Sequence, residues 1–314
     1  MNQVKNSQKD VDLFGNEVIK DELLRDKFIE PPFSVLDTRT GNWQKRKRLW
    51  ISKGIKSECG RDAKVFNISK FMNESTNIKA DLSDISIFDP ALCEVLYRWF
   101  CPDGGRILDP FAGGSVRGIV ANYLGYKYTG IDIRQEQIDS NREQAMDILA
   151  VNNQPQWYVG DSNEVLDDHW LATTAFDHSD QLPGLATHAP IFDMVMSCPP
   201  YADLEVYSDL PGDISNKKYP EFLALYESII MKSCRLLKPG GYACFVVGEV
   251  RDKNGFYIGF VPDTVKAFER CGMKFYNEAV LLNTTASASI RAGGNMKSQK
   301  LVKVHQNVLV FKKP

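Results

Sequence analysis

Several common signals are absent from this sequence of 314 residues. It has no apolar run of about 18 residues, the length that a membrane-spanning helix requires. Its opening stretch, MNQVKNSQKD, is polar and lacks the apolar region of a secretion signal. None of the seven cysteines stands in a Cys-x-x-Cys pair, and several lie within apolar runs. These absences predict a cytoplasmic protein whose cysteines are buried thiols rather than disulfides.

Two phosphate-binding signatures are also missing, the full G-x-G-x-x-G and the G-K-[ST] of a P-loop. Of only four histidines, three fall in one polar stretch, at His169, His178 and His188. Their spacing does not match a tight set of metal ligands, so we expect no metal.

Acidic residues are absent from 279–314, although the whole chain has a formal net charge of -2. That stretch carries six lysines and arginines, and residues 45–48 read Lys-Arg-Lys-Arg. A basic run is often only a solvated face, but it can also contact nucleic-acid phosphates. Both interpretations stay open on charge alone.

From about residue 85, short apolar strands alternate with helices of ten or more residues. The predicted strands are RILDP, YKYTGIDI, PQWYVGD, FDMVMS, YACFVVGEV, KFYNEAVLLN and NVLVFKK. This alternation predicts an α/β domain over 85–314, with a parallel sheet covered by helices on both faces. Residues 1–30 are expected to be a polar, flexible N-terminus, and 31–84 an N-terminal extension with a basic and aromatic segment.

In such a sheet the ligand site lies at the carboxyl ends of the strands. Asp109-Pro-Phe-Ala-Gly-Gly-Ser follows the first predicted strand, Asp132 ends the second and Asp161 follows the third. The glycine turn alone could be the start of a helix, and each aspartate alone could be a helix N-cap. Taken in order, the three acids suit a nucleoside that carries a positive charge better than a pyrophosphate.

The fourth predicted strand ends in SCPPY, residues 197–201. The two prolines fix φ and remove backbone donors, so the segment leaving the strand is stiff. By itself this is a rigid turn, but after the three acids a binding loop is the better interpretation.

The combination of ILDPFAGGS with SCPPY resembles the DNA amino-methyltransferases that use S-adenosylmethionine. PPFSVLDTRTGNWQKRKRLW and SCPPYADLEVYSD are also similar to phage and prophage modification methylases of restriction-modification type. The resemblance covers roughly 85–314 and extends towards the N-terminus. It implies a doubly wound, mostly parallel, seven-stranded Rossmann-like methyltransferase sheet with an antiparallel last strand.

The resemblance also assigns roles to particular residues, with Asp132 on the cofactor ribose and Asp161 on its adenine. The cofactor-binding residues would be Asp109, Pro110, Phe111, Gly113, Gly114, Ser115, Asp132, Ile133, Asp161 and Ser162. The target base, extruded from the helix, would be held by Cys198, Pro199, Pro200 and Tyr201, with the Tyr201 ring stacked on it.

Cys198 departs from the family pattern, which usually has Asp, Asn or Ser at this position as a hydrogen-bond acceptor for the amino group. A thiol is a weak acceptor. Three interpretations follow: the Pro199 carbonyl does most of the work, Asp203 supplies the acceptor, or the enzyme is slow or inactive. Attack by a cysteine on cytosine is disfavoured, because methylases of that type place the cysteine after the prolines, where this chain has Tyr201.

The leading hypothesis is direct methyl transfer to the exocyclic amino group of a flipped DNA base, with adenine N6 favoured over cytosine N4. RNA-base methylation and a methylase-like DNA-binding protein without activity are the alternatives. The predicted DNA-contacting residues are Lys45, Arg46, Lys47, Arg48, Arg291, Lys297 and Lys300. We expect the two tryptophans of GNWQKRKRLW to contact or stack on nucleic acid, and 287–305 to be a loop that orders on DNA. A homodimer and a partner nuclease are left open.

Overall fold

The computed structural model of the chain describes residues 24–56, 88–167, 190–201, 208, 210–283 and 288–314. Two compact units are distinguished, Met1–Pro32 and Phe33–Pro314. Within the first, the described regular structure is a short helix, α1 (Leu24–Phe28). Everything that follows concerns the second unit. None of the helices in the described ranges is long and apolar enough to cross a membrane.

The described strands form one eight-stranded sheet in the order β1-β7-β8-β6-β5-β2-β3-β4. Their bounds are β1 (Val35–Asp37), β2 (Arg106–Asp109), β3 (Lys127–Asp132), β4 (Gln156–Val159), β5 (Phe192–Ser197), β6 (Leu237–Val247), β7 (Lys274–Leu282) and β8 (His305–Lys312). Among these strands β8 runs antiparallel to both of its neighbours, and all other pairings are parallel. The predicted mostly parallel α/β architecture is confirmed.

The first strand, β1, adds an eighth strand to the seven that were expected. It comes from the N-terminal extension and pairs parallel with the end of β7, from Val35 opposite Val280 to Asp37 opposite Leu282. The Thr38 hydroxyl also donates to the Leu282 carbonyl at 2.7 Å. A three-residue strand is too short to show a hydrophobic period, which is why the sequence pattern gave no sign of it.

Helices follow the strands as the alternation predicted. They are α2 (Gly41–Ser52), α3 (Pro90–Phe100), α4 (Val116–Tyr123), α5 (Gln135–Ile148), α6 (Ser162–Val165), α7 (Tyr219–Leu236), α8 (Phe260–Arg270) and α9 (Ala288–Lys297). Local capping fixes where α3 starts. The Asp89 side chain accepts from the Ala91 amide at 2.9 Å, and Pro90 occupies the first turn, where no backbone amide donor is needed.

Aromatic rings fill the space between the sheet and helices α7 and α8. Phe222 stacks on Tyr226 with ring centroids 5.6 Å apart, and Phe260 contacts both rings. Phe268 stacks on Phe311 of β8 at 4.1 Å. All five rings are fully buried. This packing fixes the start of α8 against the end of the sheet where the candidate site lies.

The tryptophans of α2 face the protein and not the solvent, so their expected role in stacking on nucleic acid is wrong. Trp43 and Trp50 are 1% and 3% exposed. The Trp43 indole donates to Asp89 at 3.0 Å, and the Trp50 indole donates to Glu94 at 2.8 Å. Arg46 binds both oxygens of the same Glu94 carboxylate at 2.8 Å each. Tryptophans interleaved with cations therefore dock α2 onto α3.

Residues 288–297 form helix α9, where the sequence had suggested a loop. Ala, Arg, Met and Lys are good helix formers, and they outweigh Gly293 and Gly294 over this short span. The helix ends at Lys297, and the positive φ of 55° at Gln299 allows the Lys300 amide to bond back to the Asn295 carbonyl at 3.0 Å.

The buried carboxylate of Glu94 should stabilise the fold in a pH-dependent way. Burial alone would raise the pKa of Glu94, but hydrogen bonds from Arg46 and Trp50 outweigh it, and the pKa lies below its ordinary value of 4.5. The stabilisation is therefore complete above pH 4.5 and is lost as the pH falls through the lowered folded-state pKa.

We expect Glu94→Gln to lower the free energy of unfolding by about 2–4 kcal/mol at pH 7, because an amide donor would then face Arg46. Urea denaturation at pH 7 and at lower pH measures the loss, which should shrink below pH 4.5. Glu143→Gln, at an exposed position of α5, should change stability by less than about 0.5 kcal/mol. An equal loss for both variants would contradict the prediction.

Candidate functional site

The carboxyl ends of β2, β3, β4, β5 and β6 meet at one edge of the sheet because these strands are parallel. The residues predicted from the sequence lie on the segments that leave this edge. They form two groups: the glycine turn with its acids after β2, β3 and β4, and the Cys-Pro-Pro-Tyr loop after β5. Buried hydrogen bonds connect the two groups.

The glycine turn between β2 and α4 is open on one side. Gly113 has φ of +49°, and a Cβ atom built on Gly113 or on Gly114 would meet no atom within 4 Å. The Gly113 amide donates to Asp132 at 3.0 Å, so the ends of β2 and β3 are tied together. The Ser115 hydroxyl is buried and donates to Gln144 at 2.7 Å, so this side chain supports the turn from below and does not face the open side.

Asp132 lies beside the turn and retains accepting capacity. Its Oδ1 accepts from the Arg134 amide at 2.9 Å and its Oδ2 from the Gly113 amide. Arg134 Nε lies 3.9 Å from Oδ1, and each carboxylate oxygen can accept more than one hydrogen bond. Burial raises the pKa of Asp132 above its ordinary value, although the amide hydrogen bonds from Arg134 and Gly113 oppose the shift. Ile133 is half-buried beside it.

Asp161 and Ser162 close the turn from the β4 side. Asp161 caps α6 by accepting from the Asn163 amide at 2.8 Å, and the Ser162 hydroxyl donates to the Pro110 carbonyl at 2.5 Å. A Cβ atom on Gly212 would lie 2.8 Å from Asp161 Oδ2, so a glycine is needed where this segment passes the carboxylate. The sequence reading missed Gly212, because it stands far from the motif in the chain.

Asp109 is fully buried, and its carboxylate is surrounded by donors from the protein. One oxygen accepts from the Ser197 hydroxyl at 2.5 Å and from the Phe111 amide at 3.1 Å. The other accepts from the Tyr128 hydroxyl at 2.7 Å and from Arg117 Nε at 2.5 Å. Since Ser197 directly precedes the Cys-Pro-Pro-Tyr loop, Asp109 holds the starts of both loops.

Arg117, which the sequence reading did not single out, completes this arrangement. Its Nη2 donates to the Phe111 and Ala112 carbonyls at 2.6 and 2.8 Å. Burial alone would lower the pKa of Arg117, but the Asp109 carboxylate outweighs it and the pKa lies above its ordinary value. A charged residue within the apolar stretch SVRGIVANYLG was the available signal.

The Cys-Pro-Pro-Tyr loop holds Tyr201 by its hydroxyl and by its ring. Gln306, at the start of β8, donates to the Tyr201 hydroxyl at 2.5 Å, and Cys198 Sγ lies 3.9 Å from the same oxygen. The ring meets Phe260 edge to face at 6.1 Å. Pro199 is buried, whereas Cys198, Pro200 and Tyr201 are partly exposed. The tyrosine is therefore fixed from three elements and still reachable from outside.

The remaining predicted residues divide into described and undescribed positions. Asp203, the three histidines of the polar stretch and residues 284–287 lie outside the described residues. Of the predicted DNA contacts, Lys45, Arg48, Arg291 and Lys297 are exposed, and Lys47 and Lys300 are partly exposed. Arg46 is already engaged by Glu94. No cluster of His, Cys, Asp and Glu suited to a metal ion occurs among the residues that the structure describes.

No protein-family model matches this chain, and no curated protein matches it. Among solved structures it is similar to TrmN from Thermus thermophilus, at 16% identity over 72% of this chain and 49% of that chain, with a TM-score of 0.44. An S-adenosylmethionine-dependent methyltransferase from Methanosarcina mazei gives 16% identity over 69% and 96%, with a TM-score of 0.42. A candidate DNA modification methylase from Thermus thermophilus gives 20% over 49% and 51%, with a TM-score of 0.31. Likenesses this weak carry no argument about function.

The Asp109 carboxylate should be essential to both loops at once. We expect Asp109→Asn to lower the free energy of unfolding by about 3–5 kcal/mol, because it removes the counter-charge of the buried Arg117. Amide hydrogen exchange should become faster both at residues 111–115 and around Tyr201. Denaturant unfolding and exchange mass spectrometry measure the two effects.

Asp139→Asn on the exposed surface of α5, where the carboxylate is 59% exposed, is the matched control. It should change the free energy of unfolding by less than about 0.5 kcal/mol and should leave amide exchange at both loops as slow as in the wild-type protein. Faster exchange at only one loop in Asp109→Asn would contradict the role of Asp109 as their common support.

Proposed function

We propose that this protein is an S-adenosylmethionine-dependent methyltransferase that modifies the exocyclic amino group of a base in DNA, adenine N6 in preference to cytosine N4. The observation that carries the proposal is the shared support of two loops at one sheet edge. The open glycine turn beside Asp132 begins after Asp109, and the Cys-Pro-Pro-Tyr loop begins after Ser197, whose hydroxyl donates to Asp109. A cofactor in the first and a base in the second would be neighbours.

The residues around the turn fit this cofactor. Gly113 and Gly114 leave open space, and a side chain at either position would fill it. Asp132 and Asp161 would hold the ribose and the adenine, respectively. Asp109 is neutralised by Arg117, and the carboxylates of Asp132 and Asp161 lie beside the turn, which suits a ligand that carries a positive sulfur.

When bound, S-adenosylmethionine supplies a methyl group: the amino nitrogen's lone pair forms the new bond, the carbon–sulfur bond breaks with its electrons going to sulfur, and the nitrogen loses one proton to solvent. The protein's own contribution is positioning. The stiff Pro199 carbonyl would accept from one N–H of the amino group, and the fixed Tyr201 ring would stack on the base. No covalent bond to the protein is required.

The surface next to the Cys-Pro-Pro-Tyr loop supports nucleic acid as the substrate class. The segment after β6 carries Phe256 and Tyr257, which are 73% and 50% exposed. The Arg251 guanidinium lies 3.9 Å from the centre of the Tyr257 ring, and the Lys300 side chain packs against Gly255. Exposed rings alternating with cations suit base stacking and phosphate contact. Arg291 and Lys297 of α9 would extend this surface.

Transfer of labelled methyl groups to DNA and to RNA tests the proposal. We expect label in DNA and calorimetrically detectable binding of S-adenosylmethionine. Long-read sequencing of DNA from cells that express the protein identifies both the base and the recognised sequence. Label in RNA alone would favour the RNA alternative. Protein that binds the cofactor and DNA but transfers nothing would favour the inactive alternative.

Replacement of Tyr201 separates base binding from cofactor binding. We expect Tyr201→Ala to lower kcat/KM for DNA by about 10–100-fold, the value of one lost stacking contact, while cofactor affinity stays within about twofold. Tyr201→Phe keeps the ring and loses the hydroxyl with its contacts to Gln306 and Cys198, so its loss of activity should be smaller. Tyr276→Ala, at an exposed tyrosine of β7, is the control. Full activity in Tyr201→Ala would refute the assignment of this loop.

A further inference from the structure

Glu249 stands two residues beyond β6, at the sheet edge that carries the Cys-Pro-Pro-Tyr loop. β5 and β6 run parallel, with Ser197 paired to Phe245, so both strands end at the same edge. A Cβ atom built on Gly248 would lie 3.9 Å from the Tyr201 ring. The backbone that presents Glu249 therefore passes directly against the tyrosine proposed to stack on the base.

Among the described residues, only one oxygen of the Glu249 carboxylate has a hydrogen-bond partner. Oε1 accepts from the Val261 amide at 2.9 Å, in the first turn of α8, and the neighbouring Phe260 ring contacts Tyr201. Oε2 is buried and has no hydrogen-bond partner among the described residues. A buried carboxylate oxygen without a partner is costly, so such an atom in a folded protein points to a missing partner.

One cationic side chain, that of Lys303, lies close enough to Glu249 for their charges to interact. Lys303 interacts electrostatically with it: burial lowers the pKa of Lys303, and the Glu249 charge opposes that shift. The Tyr219 hydroxyl, which donates to Asp263 at 2.8 Å, lies within the influence of the same charge. A carboxylate oxygen accepts hydrogen bonds, so the missing partner of Oε2 would be a donor.

We infer that Glu249 Oε2 is a hydrogen-bond acceptor for the exocyclic amino group of the target base. The inference rests on the proposed function. An amino group offers two N–H donors: the Pro199 carbonyl would take one and Glu249 the other, which supplies the acceptor that Cys198 provides poorly. A carboxylate at this position would also select against bases whose edge presents a carbonyl oxygen, because two acceptors repel each other.

A binding experiment tests the role of Glu249 without relying on turnover. DNA duplexes carrying the recognised sequence have either adenine at the target position or purine, which lacks only the amino group. With S-adenosylhomocysteine present, we expect the missing amino group to weaken binding to the wild-type protein by about 10-fold or more. In Glu249→Gln the same change should alter affinity by less than about twofold, because the NH2 group that replaces Oε2 cannot accept a hydrogen bond. If sequencing identifies cytosine, the matching analogue lacks the cytosine amino group.

Glu249→Gln keeps one carbonyl oxygen for the Val261 amide, and its unfolding curve shows whether the fold is intact. Glu269→Gln, at an exposed position of α8, is the matched control and should discriminate as the wild-type protein does. Cys198→Ala should also retain discrimination. If wild-type protein methylates DNA but binds the adenine and purine duplexes equally well, this inference alone is overturned. It is also overturned if Glu249→Gln distinguishes the two duplexes as strongly as the wild-type protein does. Wild-type protein that methylates no DNA overturns the proposed function first.

Discussion

The buried ion pair between Asp109 and Arg117 is the interaction on which the candidate site depends. A buried pair is costly unless its remaining hydrogen-bonding capacity is used. Here Asp109 also accepts from Ser197, Tyr128 and the Phe111 amide, and Arg117 donates to two carbonyls of the glycine turn. These hydrogen-bond partners come from β3, from the end of β5 and from the glycine turn. The ion pair therefore holds the glycine turn and the Cys-Pro-Pro-Tyr loop in one fixed relation.

The degree of hydrogen-bond satisfaction separates supporting carboxylates from those with capacity for a ligand. Asp109 and Glu94 are buried, and both of their oxygens are engaged by donors from the protein. Asp132 accepts from two backbone amides and lies 3.9 Å from Arg134 Nε, and Glu249 leaves one oxygen without a partner among the described residues. All four are acids in or beside elements of regular structure, so residue type alone does not distinguish them. Their hydrogen-bond partners distinguish them. Under the proposed function, Asp109 and Glu94 support the fold, whereas Asp132 and Glu249 bind ligands.

The sequence predicted the parts of the fold that have a local signal. Alternating strands and helices gave the parallel sheet, and the sheet rule placed the glycine turn and SCPPY at one edge. The docking of α2 was misread, because the partner of Trp50 and Arg46 is Glu94, more than 40 positions away in the chain. Arg117 and Glu249 were overlooked for the same reason: what each one does depends on which buried atoms it meets, and no periodicity records that. The contacts of the Asp109 side chain could not be predicted, because a motif position does not reveal whether a side chain points inward.

A cysteine at position 198 is physically consistent with the proposed hydrogen-bond acceptor Glu249 in the segment that follows β6. Cys198 Sγ lies 3.9 Å from the Tyr201 hydroxyl, which accepts its hydrogen bond from Gln306. A carboxylate at position 198 would draw the hydroxyl proton towards itself, and under the role proposed for Glu249 it would add a second negative charge beside the amino group of the base. Two carboxylates close together cannot both ionise cheaply. A thiol avoids that conflict, so a cysteine after β5 and the proposed acceptor Glu249 after β6 form a compatible pair.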